Sequence, residues 1–194
     1  MFEPLAAEQP RPVDFNVRSE ESCLDRIVAV FRREFSERER TELCPGAQEP
    51  YYQPASSLAE RHQIFSRSDY PASVLHEVAH WCVAGPQRRL LPDFGYWYAT
   101  DGRNAQQQQK FQRVEVKPQA IEWAFSRAVG LRFQVSIDNL TGYVVDPFGF
   151  QLAVWQQAQA YDLSGLPGRA ERFVLALKAE FHRECYSLSL AALR

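Results

Sequence analysis

Residues 71–85 read PASVLHEVAHWCVAG, a stretch with the marks of one buried helix. Pro71 suits the first turn of a helix because that position needs no N–H donor. Ser68 or Asp69 stands where a side chain would cap that turn. Gly85 is typical of the residue that ends a helix. The residues between these limits carry a broad apolar face, so we predict a largely buried helix at the centre of the fold.

The same stretch contains His76 and His80 with Glu77 beside the first of them, an HExxH motif. A helix turns once in about 3.6 residues, so side chains four apart share one face and both imidazoles can reach one metal ion. The chain has only 4 histidines, and burying two of them with a glutamate is costly unless a partner is present. We therefore predict a metal site. Glu77 is the candidate catalytic residue, since this position supplies the general base of zinc proteases.

A metal ion needs at least one more protein ligand, and the sequence offers no suitable third histidine. The extended motif HExxHxxGxxH is absent. His62 lies in a polar stretch and His182 near the end of the last predicted helix, so both are interpreted as surface or capping residues. The third ligand is therefore predicted to be a carboxylate.

Glu115 is the leading candidate for this carboxylate because it stands between two valines in VEVKPQAIEW, which indicates partial burial. A buried carboxylate needs a cation. Glu122, about two helical turns later, is the main alternative ligand, and it could instead hydrogen-bond a metal-bound histidine from outside the metal's own ligand set. Asp93 and Asp101 are further alternatives.

Two histidines and one carboxylate leave the chemistry open. With zinc and a water molecule they form a hydrolase site, and with ferrous iron and open positions they form an oxygen-activating site. The spacing of the residues alone does not separate the two. A third hypothesis is a non-enzymatic binding module in which the metal, closed by four ligands, only staples the fold.

Composition limits the other functions. The chain has 194 residues, a formal net charge of −2 and 45% hydrophobic residues, which fits one globular domain. There is no basic excess, so we expect no nucleic-acid partner. No apolar run approaches the ~20 residues of a membrane span, and the N-terminus lacks a signal-peptide pattern, so we expect a cytoplasmic protein. The 4 cysteines are scattered and are interpreted as reduced thiols.

The predicted fold class is α+β: a helix-rich single domain around a small sheet, with the two metal-bearing helices arranged locally as in zincins. Residues 1–18 are predicted to be a flexible N-terminal arm and residues 19–194 a single metal-binding catalytic domain. Predicted helices begin at Glu21 and span 71–84, 117–129, 151–162 and 168–182. Residues 36–60 are predicted as a loop with a short strand at 51–52, and further strands or extended segments are predicted at 63–66, 94–98 and 131–137.

Four blocks of sequence, in this order, carry a resemblance to a known family. They are HEVAHWCVAG (76–85), DFGYWYATDGR (93–103), VEVKPQAIEW (114–123) and VSIDNL (135–140). The chain resembles the bacterial elongation factor P hydroxylase family, collinearly from about residue 27 to 181. The motif HExxHW alone would be weak, but the ordered series of blocks is specific.

The resemblance implies hydroxylation of the modified, β-lysylated lysine of translation elongation factor P by a non-haem iron centre. It implies Fe(II) held by His76, His80 and Glu115, with dioxygen as co-substrate; zinc or another divalent ion could compete for the same ligands. No 2-oxoglutarate clamp is recognisable, so the electron donor is left open. Glu77 matches the family motif, although a hydroxylase has no evident need for a peptidase-type base.

Several residues near the motifs are weaker candidates. Tyr96 and Tyr98 could wall a substrate pocket, or they could simply pack in the core. Asp101 and Glu122 are assigned to the surroundings of the metal. Arginines in the same region could contact a protein substrate or lie on a solvated face; they are Arg88, Arg89 and Arg103.

Overall fold

The computed structural model describes residues 15–68, 70–96, 101–137, 139 and 147–182, with side chains from residue 23 onward. Within these ranges it is an α+β fold of five helices around a small three-stranded sheet, as predicted. The helices are α1 (Phe15–Phe35), α2 (Pro71–Val83), α3 (Ala105–Val129), α4 (Pro147–Ser164) and α5 (Gly168–Phe181). The strands are β1 (Thr41–Ala47), β2 (Tyr51–Gln53) and β3 (His62–Arg67).

The N-terminal helix is longer than predicted. Helix α1 begins at Phe15, six residues before the predicted start at Glu21, so residues 15–18 of the predicted arm are helical. Residues 1–14 lie outside the described part of the chain.

The sheet has the order β1-β3-β2, with β1 parallel and β2 antiparallel to β3. Strand β1 lies in the stretch that was predicted as a loop, and that prediction was wrong. Pro45 and Gly46 favoured the prediction of a loop because both residues disfavour regular strand pairing. The structure accommodates them in an irregularity between Cys44 and Ala47, where the register with β3 shifts.

Helix α2 occupies the centre, packed against α1, α3, α5 and β3. Its N-cap residue is Tyr70, which makes no side-chain capping bond, so the proposed cap at Ser68 was wrong; Asp69 lies outside the described residues. At the other end, Arg169 at the start of α5 donates to the carbonyl of Trp81 at 2.9 Å. A cation at a helix C-terminus satisfies free carbonyls and opposes the helix dipole, so Arg169 holds the end of the motif-bearing helix.

Helix α3 begins twelve residues before the predicted start at Lys117. A capping box opens it, with Asn104 accepting from the Gln107 amide and the Gln107 side chain accepting from the Asn104 amide. Pro118 therefore lies inside the helix rather than in its first turn. Gly130 ends the helix in the left-handed conformation, as predicted.

Two predicted extended segments are not strands. Residues 131–137 have no regular secondary structure. Residues Pro92–Gly95 form a short 3₁₀ turn in which Asp93 and Phe94 both take positive φ angles; Trp97 and Tyr98, the end of that prediction, lie outside the described residues. The alternation of aromatic and small residues in this stretch reflects a turn with Phe94 buried, and not a pleated strand.

Apolar side chains form two clusters. The main core joins α1, α2, α5, the sheet and one side of α3, and it is rich in stacked and edge-on aromatic rings. The second cluster lies between α3, α4 and residues 133–137. None of the described helices has the length and apolar character needed to cross a membrane.

Candidate metal centre

The HExxH histidines and Glu115 meet between the two packed helices α2 and α3. His76 Nε2 lies 3.1 Å from His80 Nε2, and His80 Nε2 lies 3.1 Å from Glu115 Oε1. One ligand atom from each of the three residues lies within 4.8 Å of the others, and this is the only such cluster of metal-ligand side chains within the described residues. The i, i+4 spacing brings the histidines together, and the packing of α3 on α2 brings the carboxylate.

The spacing of these atoms fits a shared divalent metal. Ligand bonds of about 2.0–2.1 Å place neighbouring ligands about 2.8–3.4 Å apart in octahedral or tetrahedral geometry. The two 3.1 Å separations lie in this range. The side chains of His76 and His80 are 20% and 15% exposed, whereas that of Glu115 is 5% exposed. The histidine side of the cluster is therefore the more accessible one.

Glu122 orients the first histidine. Its Oε2 lies 2.8 Å from His76 Nδ1. A carboxylate at this distance favours a proton on Nδ1, which leaves the lone pair of Nε2 facing the cluster. The sequence offered Glu122 as a residue that hydrogen-bonds a metal-bound histidine without binding the metal itself, and this contact with His76 has that form.

The electrostatics of the cluster call for positive charge. Burial lowers the pKa of His76, but the carboxylates of Glu122, Glu115 and Glu77 together outweigh burial and raise that pKa well above its usual value. Burial opposes ionisation of Glu115, yet His80, His76 and the hydrogen bond from Gln119 together lower the pKa of Glu115 to about 2. An ionised buried carboxylate that draws positive charge onto nearby imidazoles fits a cation site.

Glu77 belongs to the same surroundings but not to the donor cluster. Burial raises its pKa, and the neighbouring imidazoles of His76 and His80 oppose that rise. It adds a third acidic group beside the two histidines.

The aspartates considered as ligands lie outside the donor cluster. Asp93 Oδ1 accepts a 2.8 Å hydrogen bond from the backbone N–H of Tyr52. Asp101 Oδ1 accepts one of 2.7 Å from the N–H of Gly102. Both carboxylates thus organise the local backbone.

The other two histidines lie outside the donor cluster. His62, at the start of β3, accepts a 2.9 Å hydrogen bond from the N–H of Ala55 at Nδ1. His182 is the exposed residue that ends α5. Cys44 and Cys82 are free thiols, and Cys185 lies outside the described residues.

The aromatic and arginine candidates have mixed outcomes. Tyr96 packs against the main core with the Arg88 guanidinium 4.1 Å from its ring centre, and Tyr98 lies outside the described residues. Arg89 pairs with Glu39 at 2.9 Å. Arg103 is 2% exposed; it is therefore not a surface arginine, and both sequence interpretations of it were wrong.

Sequence reasoning missed two buried glutamines on α3, Gln108 and Gln119. Gln119 Nε2 donates to Glu115 Oε2 at 3.3 Å. The available signal was the series of polar residues at helical spacing along α3. This pattern was missed because the predicted helix began at Lys117, twelve residues after the actual start of α3 at Ala105.

Two histidines and one carboxylate form the donor set of zinc hydrolases and of non-haem iron oxygenases, so the site defines a metal-binding protein of one of these classes. The family model described as elongation factor P hydroxylase matches residues 30–191. The chain is also 44% identical over 164 residues to the elongation factor P lysine hydroxylase of Haemophilus influenzae, covering 84% of this chain and 92% of the relative. The chain belongs to the elongation factor P hydroxylase family.

Proposed function

We propose that this protein hydroxylates a lysine side chain of translation elongation factor P, in its β-lysylated form. The observation that carries the proposal is the convergence of His76, His80 and Glu115 in a chain of this family. The name of the 44% identical relative supports the reaction and the protein substrate.

The metal in this proposal is Fe(II), held by His76, His80 and Glu115. Bound iron would supply the activation of dioxygen for insertion of an oxygen atom into a C–H bond, with electrons from a donor still to be identified. The protein's own residues do the rest. Glu122 holds the proton on His76 Nδ1, while Glu115 supplies the negative charge that retains the cation.

Glu77 is proposed to act beside the metal and not as a ligand. Its half-buried carboxyl neighbours both imidazoles. In this role the Glu77 carboxyl orients polar groups that enter the accessible, histidine side of the cluster. A Glu77→Gln variant should therefore retain the metal while reacting more slowly.

The alternatives from the sequence are less well supported. A zinc peptidase would use the same donors, but neither the family nor the relative is a peptidase. A metal that only staples a fold is typically closed by four protein ligands. The cluster found within the described residues offers three.

The deciding experiment measures the mass of β-lysylated elongation factor P after incubation with the Fe(II)-loaded protein, a reductant and air. We expect a gain of one oxygen atom, dependent on iron and on air. Glu115→Ala should abolish the gain because the carboxylate ligand is lost. Glu49→Gln, an exposed glutamate in the turn between β1 and β2, is the matched control and should react normally.

The same samples separate the competing functions. Shortened elongation factor P fragments, formed with zinc and lost in Glu77→Gln, would indicate the peptidase. An unchanged substrate mass across a panel of reductants, with iron shown to be bound, would rule out the hydroxylase.

A further inference from the structure

The side chain of Gln119 joins the metal-ligand carboxylate to the backbone of segment 131–137. Gln119 is fully buried on α3, one turn after Glu115. Its Nε2 donates to Glu115 Oε2 at 3.3 Å and to the Ser136 carbonyl at 2.8 Å. Its Oε1 accepts from the Ser136 N–H at 3.1 Å. Both amide hydrogens and the amide oxygen are thus used.

These contacts fix the orientation of the amide. If its oxygen and nitrogen were exchanged, an oxygen would face both the Ser136 carbonyl and Glu115 Oε2, and an amino group would face the Ser136 N–H. Each of these contacts would be repulsive, because like partners would meet. Gln119 can therefore serve Ser136 and Glu115 together in only one arrangement.

The segment 131–137 depends on this arrangement. Its apolar side chains pack into the second apolar cluster, where Phe133 stacks on Trp123 of α3. Its backbone is bonded by side chains of α3: Gln119 at Ser136 and Gln108 at the Ile137 carbonyl, the latter at 3.1 Å. Two glutamine side chains of α3 thus form hydrogen bonds with backbone groups of this segment, as a neighbouring strand does in a sheet.

Only one of the two glutamines contacts the metal cluster. Gln119 donates to Oε2 of Glu115, which also lies 3.6 Å from His76 Nε2, while Oε1 of the same carboxylate lies 3.1 Å from His80 Nε2. Gln108 binds the segment and the guanidinium of Arg103, at 2.7 Å. The chain therefore contains a natural comparison between a segment anchor with the ligand contact and one without it.

We infer that Gln119 is a positioning residue: it holds Glu115 by Oε2, so that Oε1 is offered to the metal, and it couples metal binding to the ordering of segment 131–137. Partners of metal ligands usually affect metal affinity about 10–100-fold. Coupling is reciprocal, so a bound metal steadies the segment as much as the ordered segment favours the metal. The inference rests on the proposed metal site but not on the reaction that the site performs.

The test compares Gln119→Met with Gln108→Met, two substitutions that keep side-chain length and remove the amide. Co(II) is the probe, followed by titration and by its visible absorption spectrum. We expect Gln119→Met to weaken Co(II) binding about 10–100-fold and to alter the spectrum. Gln108→Met loosens the segment but leaves the Gln119–Glu115 contact in place, so it should weaken Co(II) binding by a clearly smaller factor. Equal losses in the two variants, or none in Gln119→Met, would overturn the inference.

A second measurement needs no variant and covers the case in which Gln119→Met does not fold. Hydrogen exchange of the Ser136 amide in the wild-type chain should slow when Co(II) is added, because that N–H is bonded to Gln119. An unchanged exchange rate with Co(II) bound would overturn the coupling. A wild-type chain that binds no Co(II) would overturn both the metal centre and the coupling, whereas intact coupling without hydroxylation would count against the proposed reaction alone.

Discussion

The main core and the polar face of α3 are both buried, but they are completed in different ways. The main core is filled by its own aromatic and aliphatic side chains, such as Trp81 between Phe31 and Phe35. The face of α3 buries polar and charged groups instead; they are Gln108, Glu115, Gln119, Glu122 and Ser126. The first region needs nothing from outside, whereas the second concentrates acidic groups that a cation would complete.

The largest effect should come from opening a cavity in the main core. Phe173 is fully buried and packs edge-on against Phe125, with ring centres 5.0 Å apart. Phe173→Ala should lower the free energy of unfolding by about 3–5 kcal/mol, as measured by urea denaturation. The added stability on metal binding should persist wherever the variant folds.

The control for this variant lies on the same helix. Leu175 is 56% exposed, so Leu175→Ala should change the free energy of unfolding by no more than about 0.5 kcal/mol. Similar losses in both variants would mean that the aromatic packing does not set the stability of this region.

A smaller effect should follow from the metal. At a free metal concentration of 100 times its Kd, binding should add about 2.7 kcal/mol to the free energy of unfolding. Glu122→Gln removes the charge that orients His76, so we expect about 10–100-fold weaker binding. At the same metal concentration the added stability should then fall to roughly 0.4–1.4 kcal/mol.

Metal-dependent unfolding curves test this, with Glu49→Gln as the control that should match wild type. If Glu122→Gln and wild type were stabilised equally by metal, Glu122 would have no part in holding His76 for the cation. No stabilisation of either protein would indicate that the acidic face is complete without a metal.

The smallest effect concerns the start of α3. Asn104→Ala removes the side-chain half of the capping box and should reduce the free energy of unfolding by about 1 kcal/mol. Gln106→Ala, an exposed change in the same turn without a capping role, should be nearly neutral. A loss as large as that of Phe173→Ala would show that the capped start of α3 contributes as much to the free energy of unfolding as the aromatic core does.

The sequence predicts an element well where its signals are local. Helix α2 was predicted to within one residue because Pro71 and Gly85 mark its ends and apolar residues fill it. Helix α3 was predicted to be half its length, since its first two turns are polar and Pro118 resembles a helix start. Prediction of segment 131–137 as a strand failed because alternating burial does not reveal what bonds the backbone, here glutamine side chains of a helix.

The candidate site divides in the same way. The pair His76 and His80 follows from helical geometry alone, so its convergence was foreseeable. Glu115 could be favoured on its valine neighbours, but its approach to His80 depends on how α3 packs on α2. Gln119 could not be found without knowing that α3 is continuous through Pro118, because only then do residues 108, 115, 119 and 122 share one face.

The turn at Asp93 has a consequence for how the molecule meets its own copies. Strand β2 is three residues long and lies at an edge of the sheet, where an unpaired N–H could bond to a strand of another chain. Asp93 already occupies the Tyr52 N–H at that edge, and the stacked ring of Phe94 lies 4.2 Å from the ring of Tyr52. The left-handed turn thus occupies the β2 edge at Tyr52, which disfavours pairing of that edge with a strand of another chain.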